Sequence, residues 1–146
     1  MARHSTGALA AGAGSTSLPS GSIYSVAAAS GALRECGITN TTASAVAYAL
    51  KRLTTAGTQG SGLTETQHDD ARPAAQVTGF NTHSAGPTLG GDLGYRAQLG
   101  AAVGSGIIWT FGDTGIRMPV GTANGIGIVT ENGTGQVCQF YFTWDE

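Results

Sequence analysis

From Val137 to Trp144 the chain alternates without a break. Cys138, Phe140, Phe142 and Trp144 fall on one side, and Gln139, Tyr141 and Thr143 on the other. Successive side chains of a β-strand point to opposite faces, so this stretch is a strand with one buried, largely aromatic face. Such a face must be covered by a second layer. Upstream, Ile126 and Ile128 share a face, and Glu131-Asn132-Gly133-Thr134 supplies a turn in which Asn-Gly tolerates positive φ. The spacing predicts a terminal β-hairpin with an aromatic inner face.

The 146 residues fit one domain. Charged residues make up 11% of the chain, where about a quarter is usual in soluble domains. Gly, Ala, Thr and Ser fill the difference, a mix poor for long surface helices and suited to strands and turns. A charge-poor exterior is a solubility liability for a free monomer, so much of it is expected to be covered by neighbouring subunits, in a homo-oligomer or a larger assembly. The net charge is −2, and the basic residues Arg3, Arg34, Lys51, Arg52, Arg72, Arg96 and Arg117 are scattered. They make no stripe for neutralising phosphates, which argues against direct nucleic-acid binding. No apolar run approaches the ~18–20 residues that span a bilayer, and the N-terminus has no signal-peptide pattern. The two cysteines, Cys36 and Cys138, are expected to be small buried hydrophobes rather than a disulfide framework or a zinc site.

Residues 1–21 carry few apolar side chains and no periodicity, so they read as an extended N-terminal arm ahead of a β-domain at residues 22–146. Such an arm becomes ordered by docking on a neighbour. Strands are expected at Ile23–Ala29, Gln76–His83, Tyr95–Ala102 and Ile107–Phe111, the last with Ile107, Trp109 and Phe111 on one face. Thr41–Thr54 fits both a helical stripe and strand alternation, and its Thr-rich flanks favour the strand. Gly57–Ala75 and Ser84–Gly94 read as loops, and Met118-Pro119-Val120 as an edge segment. Seven or eight short strands predict an all-β fold: one antiparallel β-sandwich, with a jelly roll as one arrangement.

Chemistry is sparse. Glu65, His68, Asp69 and Asp70 crowd the loop ETQHDD, but the chain supplies no second His or Cys nearby, so no metal site is assigned. His4 and His83 are isolated. No GxSxG elbow, dinucleotide fingerprint or phosphate loop is complete, so no catalytic residue and no cofactor are assigned. Asn40-Thr41-Thr42 and Asn132-Gly133-Thr134 match the glycosylation triplet by chance in a Thr-rich chain. Trp109, Tyr141 and Trp144 are either core and interface anchors or a sugar-stacking platform.

The segments LKRLTTAGTQGSGLTE, LGAAVGSGIIWTFG, PVGTANGIGIV and GTGQVCQFYFTWDE, with ITNTTASAV before them, resemble small structural proteins of tailed bacteriophages and prophages. The likeness covers roughly residues 35–146 and carries no catalytic signature. It implies a non-enzymatic virion component, with the small size suggesting a head-decoration (cement) protein. It would be made in the host cytoplasm and would sit on the capsid surface. The partners implied are the major capsid protein or other virion proteins. A receptor- or carbohydrate-binding module of a tail or fibre, and a small jelly-roll capsid protein, are the alternatives.

Overall fold

Alternating and small-residue segments become strands throughout the computed structural model, which describes residues 1–146 and contains no helix. In chain order these are β1 (Arg3–Leu9), β2 (Gly21–Tyr24), β3 (Ala32–Asn40), β4 (Val46–Leu53), β5 (Thr66–Gln67), β6 (Thr78–Phe80), β7 (Leu89–Leu99), β8 (Gly106–Thr110), β9 (Ile116–Arg117), β10 (Gly125–Thr130) and β11 (Cys138–Asp145). Sheet I runs β5-β1-β11-β3-β8, with β9 also on β3, and sheet II runs β6-β2-β10-β4-β7. Every pairing is antiparallel. The chain is therefore an all-β sandwich.

The alternation in β11 does what its spacing predicts. Cys138, Phe140, Phe142 and Trp144 are buried, with Cys36, Ile38 and Trp109 of the same sheet, and Phe111 just beyond β8, beside them. Ile23, Val46, Tyr48, Leu50, Ile126 and Ile128 of sheet II belong to the same core. Burying a side chain of this size contributes about 1.5–3 kcal/mol. Cys36 and Cys138 are free, buried thiols, and burial pushes the Cys138 thiol up to about 11.

The terminal hairpin is corrected. β10 and β11 lie in different sheets, and residues 131–137 carry the chain across the sandwich. Gly133 does adopt positive φ (67°), but the turn joins two layers rather than two neighbours. Both strands have a buried face, and those faces meet through the core. The turn region is pinned elsewhere: Glu131 N–H donates to Ala47 C=O (2.8 Å), and Tyr48 Oη to Gln136 C=O (2.8 Å).

The arm is also corrected. Residues 3–9 are an internal strand of sheet I, in register with β11 from Arg3↔Asp145 to Leu9↔Gln139 and flanked by β5. The boundary between an arm and a domain at residue 21 therefore falls inside one sandwich. The inward side chains of β1 are His4, Thr6 and Ala8, so its order comes from the backbone ladder more than from apolar alternation. The strand expected at Ile23–Ala29 ends at Tyr24, and that expected at Gln76–His83 shrinks to Thr78–Phe80. Met118-Pro119-Val120 follows β9 without joining a ladder.

Sheet II is covered on its outer side over β2, β10 and most of β4, while Asp92, Arg96 and Gln98 of β7 stay exposed there. Its outer face carries Ser22, Tyr24, Ala47, Ala49 and Val129, all buried. Loops of the same chain lie over part of it. His83 N–H donates to Pro19 C=O (3.1 Å), Tyr24 Oη donates to Thr55 C=O (3.1 Å), and Pro19 packs beside Gly127. Burial on both faces explains why Thr41–Thr54 shows no clean period, and β4 at Val46–Leu53 settles it as strand.

His83 sits under this cover, 2% exposed, with its Nε2 2.8 Å from Ser22 Oγ and its ring 6.0 Å from that of Tyr24. Burial pushes its pKa down to about 4. An unfolded histidine titrates near ~6.5, so between those values the unfolded chain holds a proton that the folded chain rejects. Stability is expected to fall as pH drops from about 6.5 to about 4, by up to about 3 kcal/mol. His83→Gln should flatten that stretch of a urea-midpoint-against-pH curve; an unchanged slope would refute the assignment.

Candidate functional site

Sheet I leaves its outer face bare, whereas loops lie over the β2, β10 and β4 part of sheet II's. Register sets three rows across β1, β11, β3 and β8: Leu9, Gln139, Thr39 and Gly106; then Gly7, Tyr141, Gly37 and Ile108; then Ser5, Thr143, Glu35 and Thr110. Of these three rows of four, Glu35 alone is charged. Leu9 and Ile108 are 54% and 60% exposed.

Tyr141 organises the middle row. Its ring lies across Gly37, where an added Cβ would stand 2.1 Å from Tyr141 Cε1, and a Cβ on Gly7 would stand 2.9 Å from Tyr141 Cβ. Two glycines therefore make room for one aromatic. Tyr141 Oη donates to Glu35 Oε1 at 2.6 Å. Burial, with help from Glu35, raises the phenol pKa, so the hydroxyl remains a neutral donor. Shallow depressions of about 340 and 460 Å³ flank the ring, one reaching Leu9 and the other Ile108. The third row leads to a charged end. There Arg3 Nε and Arg34 Nε converge on Asp145 at 2.8 and 2.6 Å, and these guanidinium hydrogen bonds hold the Asp145 carboxyl below its usual range.

The aromatic trio of the sequence divides. Trp109 and Trp144 face the core and Tyr141 faces outward, so they form no common platform. The ETQHDD loop does not act as one cluster. Glu65 accepts the Gly79 N–H (2.8 Å), Asp69 accepts the Ala71 N–H (3.0 Å) and lies 3.5 Å from Arg72, and His68 Nε2 is 3.1 Å from Ser5 Oγ. His83 has Ser22, not an acid of that loop, as its partner. No group of three His, Cys, Asp or Glu side chains is arranged to hold a metal ion. The Ser5–His68 contact is exposed and His68 meets no carboxylate, so it lacks the third group that orients a catalytic base. Asn40 is buried, and its amide donates to Ser44 and Gly100 carbonyls.

Sequence reasoning missed Gly7 and Gly37, because their role depends on which strands are neighbours. The outward position of Tyr141 was readable from its place opposite Phe140 and Phe142. What this face offers chemically is an aromatic, hydroxyls, an amide and exposed aliphatic carbon. No protein-family model matches the chain, and no curated protein and no solved structure matches it.

Proposed function

We propose that this protein is a non-enzymatic structural component of a virion, a decoration or cement protein that binds a phage head through the outer face of sheet I. The observation that carries the reading is the contrast between the two faces: loops of the same chain lie over the middle of sheet II and its β7 edge is charged, whereas sheet I sets half-exposed Tyr141 between exposed Leu9 and Ile108 with little charge. Large apolar contacts rimmed by polar groups are what docking surfaces present. Strand order supports a jelly-roll description. With the short β5, β6 and β9 set aside, the eight remaining strands lie as first-eighth-third-sixth and second-seventh-fourth-fifth, two interleaved Greek keys. That arrangement recurs in capsid proteins and in lectins, so it supports a class by analogy and fixes no partner. The N-terminal residues have no role as a free arm in this reading.

Tyr141→Ala is the direct test. The ring lies on the outer face, so the sandwich should keep its fold. Loss of a central aromatic anchor should weaken binding to heads assembled without this protein by about 30-fold or more. Tyr141→Phe keeps the ring and should lose much less. Undiminished occupancy by the alanine variant would sink the docking face.

A second reading, a carbohydrate-binding module, draws on Tyr141 standing among Thr39, Gln139 and Thr143 with a depression on either side. A glycan array separates the two: saturable sugar binding abolished by Tyr141→Ala favours recognition of a host surface over attachment to a head.

A further inference from the structure

The two sheets have four edges, and three are guarded. β5 and β6 are two and three residues long. β7 is long, but its ladder with β4 shifts register twice, Gly94 takes positive φ, and Arg96 pairs with Asp92 and Glu131 along it. Short strands, irregularities and charges are the devices that keep sheet edges from pairing. β8 has none of them. It reads Gly-Ile-Ile-Trp-Thr, pairs with β3 without a register shift, and lies in a stretch with no charged residue between Arg96 and Asp113.

The phase of the β3–β8 ladder is fixed at its ends. Asn40 N–H donates to Ser105 C=O (2.8 Å), and Phe111 N–H donates to Arg34 C=O (2.9 Å). Antiparallel alternation then aims the backbone groups of residues 105, 107, 109 and 111 at β3. Those of Gly106, Ile108 and Thr110 point away from the sheet, and no group in the chain bonds them.

We propose that two copies of this chain join through β8, antiparallel, about a two-fold axis at Ile108. The free groups are self-complementary in that register. Ile108 exchanges both hydrogen bonds with Ile108 of the other copy, and Gly106 does so with Thr110 in each direction, which closes a ladder of six bonds. On the outer face the 60% exposed Ile108 side chains pack against each other. Gly106 opposite Thr110 leaves the threonine unobstructed. On the inner face Ile107 meets Trp109 of the second copy, extending the apolar layer. The uncharged flanks bring no like charges together. A two-fold contact uses one patch on both subunits and closes, and β5 at the opposite edge is too short to continue the sheet. This deepens the assembly reading by naming a partner, yet it rests on edge geometry alone and requires no capsid.

Sedimentation analysis across a concentration series, with residue-resolved amide exchange, tests it. The wild type should be a dimer that dissociates on dilution, and Gly106, Ile108 and Thr110 amides should lose protection with it. Ile107, Trp109 and Phe111 should stay protected throughout. Ile108→Lys should move the dimer–monomer midpoint to at least about 30-fold higher concentration without shifting the protected odd-numbered amides. Ile108→Cys should form a symmetric disulfide on oxidation, because facing residues of a hydrogen-bonded antiparallel pair stand about 5.5 Å apart at Cα. A monomer at all concentrations overturns the proposal, as does a dimer untouched by Ile108→Lys or one whose Gly106, Ile108 and Thr110 amides exchange freely. A monomeric wild type that still loses head or glycan binding on Tyr141→Ala would sink the dimer and leave the docking face standing. A dimer whose ligand binding ignores Tyr141→Ala would do the reverse.

Discussion

Deleting residues 2–9 is expected to abolish cooperative folding. The segment is bonded between β11 and β5 in sheet I, and its loss strips β11 of seven paired residues at once. The reciprocal bonds between Ala2 and Glu146 (2.7 and 3.0 Å) and the Arg3–Asp145 ion pair go with it. β11 carries Phe142 and Trp144, both fully buried, and a new edge beside them admits water to the core. The cost should match most of a domain's whole stability, about 5 kcal/mol or more. Far-ultraviolet circular dichroism with urea titration is the check. A truncated protein that unfolds cooperatively at the wild-type midpoint would mean that the N-terminal residues are an accessory after all.

Trp144→Ala is the second large effect. Trp144 is among the largest fully buried side chains, and its ring stacks 5.9 Å from that of His4. Its replacement leaves a cavity between the sheets and should cost about 3–5 kcal/mol. In a domain of this size that corresponds to a melting temperature lower by roughly 10 °C. The indole Nε1 is buried and has no hydrogen-bond partner. Trp144→Phe therefore discards an unsatisfied donor along with some volume, and its penalty should be clearly smaller than that of the alanine variant. Calorimetry on the pair separates packing from polar cost; equal losses would contradict this account of the indole.

What the sequence disclosed follows from which forces leave a local trace. β11 and β8 each have one aromatic face in the core and one bare face, so their alternation is visible in the chain itself. β4 and β10 are covered on both faces, which erases the period and makes strand and helix look alike. β1 is held by its neighbours' backbones, and a backbone ladder leaves no mark in side-chain pattern, so it passed for a tail. The missed layer crossing after β10 has the same root. Alternation tells which face is buried, not which strand lies alongside, and Gly133 suits a turn between layers as well as one within a sheet. At the site, Tyr141 was legible as an outward residue. The pairing of Gly7, Tyr141 and Gly37 was not, because these residues are brought into one row by strands distant in sequence. The ETQHDD acids looked like a ligand set because they are adjacent in the chain, yet Glu65 and Asp69 spend their oxygens on separate backbone amides.

The unequal dressing of the two sheets gives the molecule a front and a back. Attachment through the bare side turns the loop-clad side outward. In a coat built this way, the loops around Pro19, Thr55 and His83 would face the solvent. Peptides grafted into the outward loops would then be displayed across the whole coated surface.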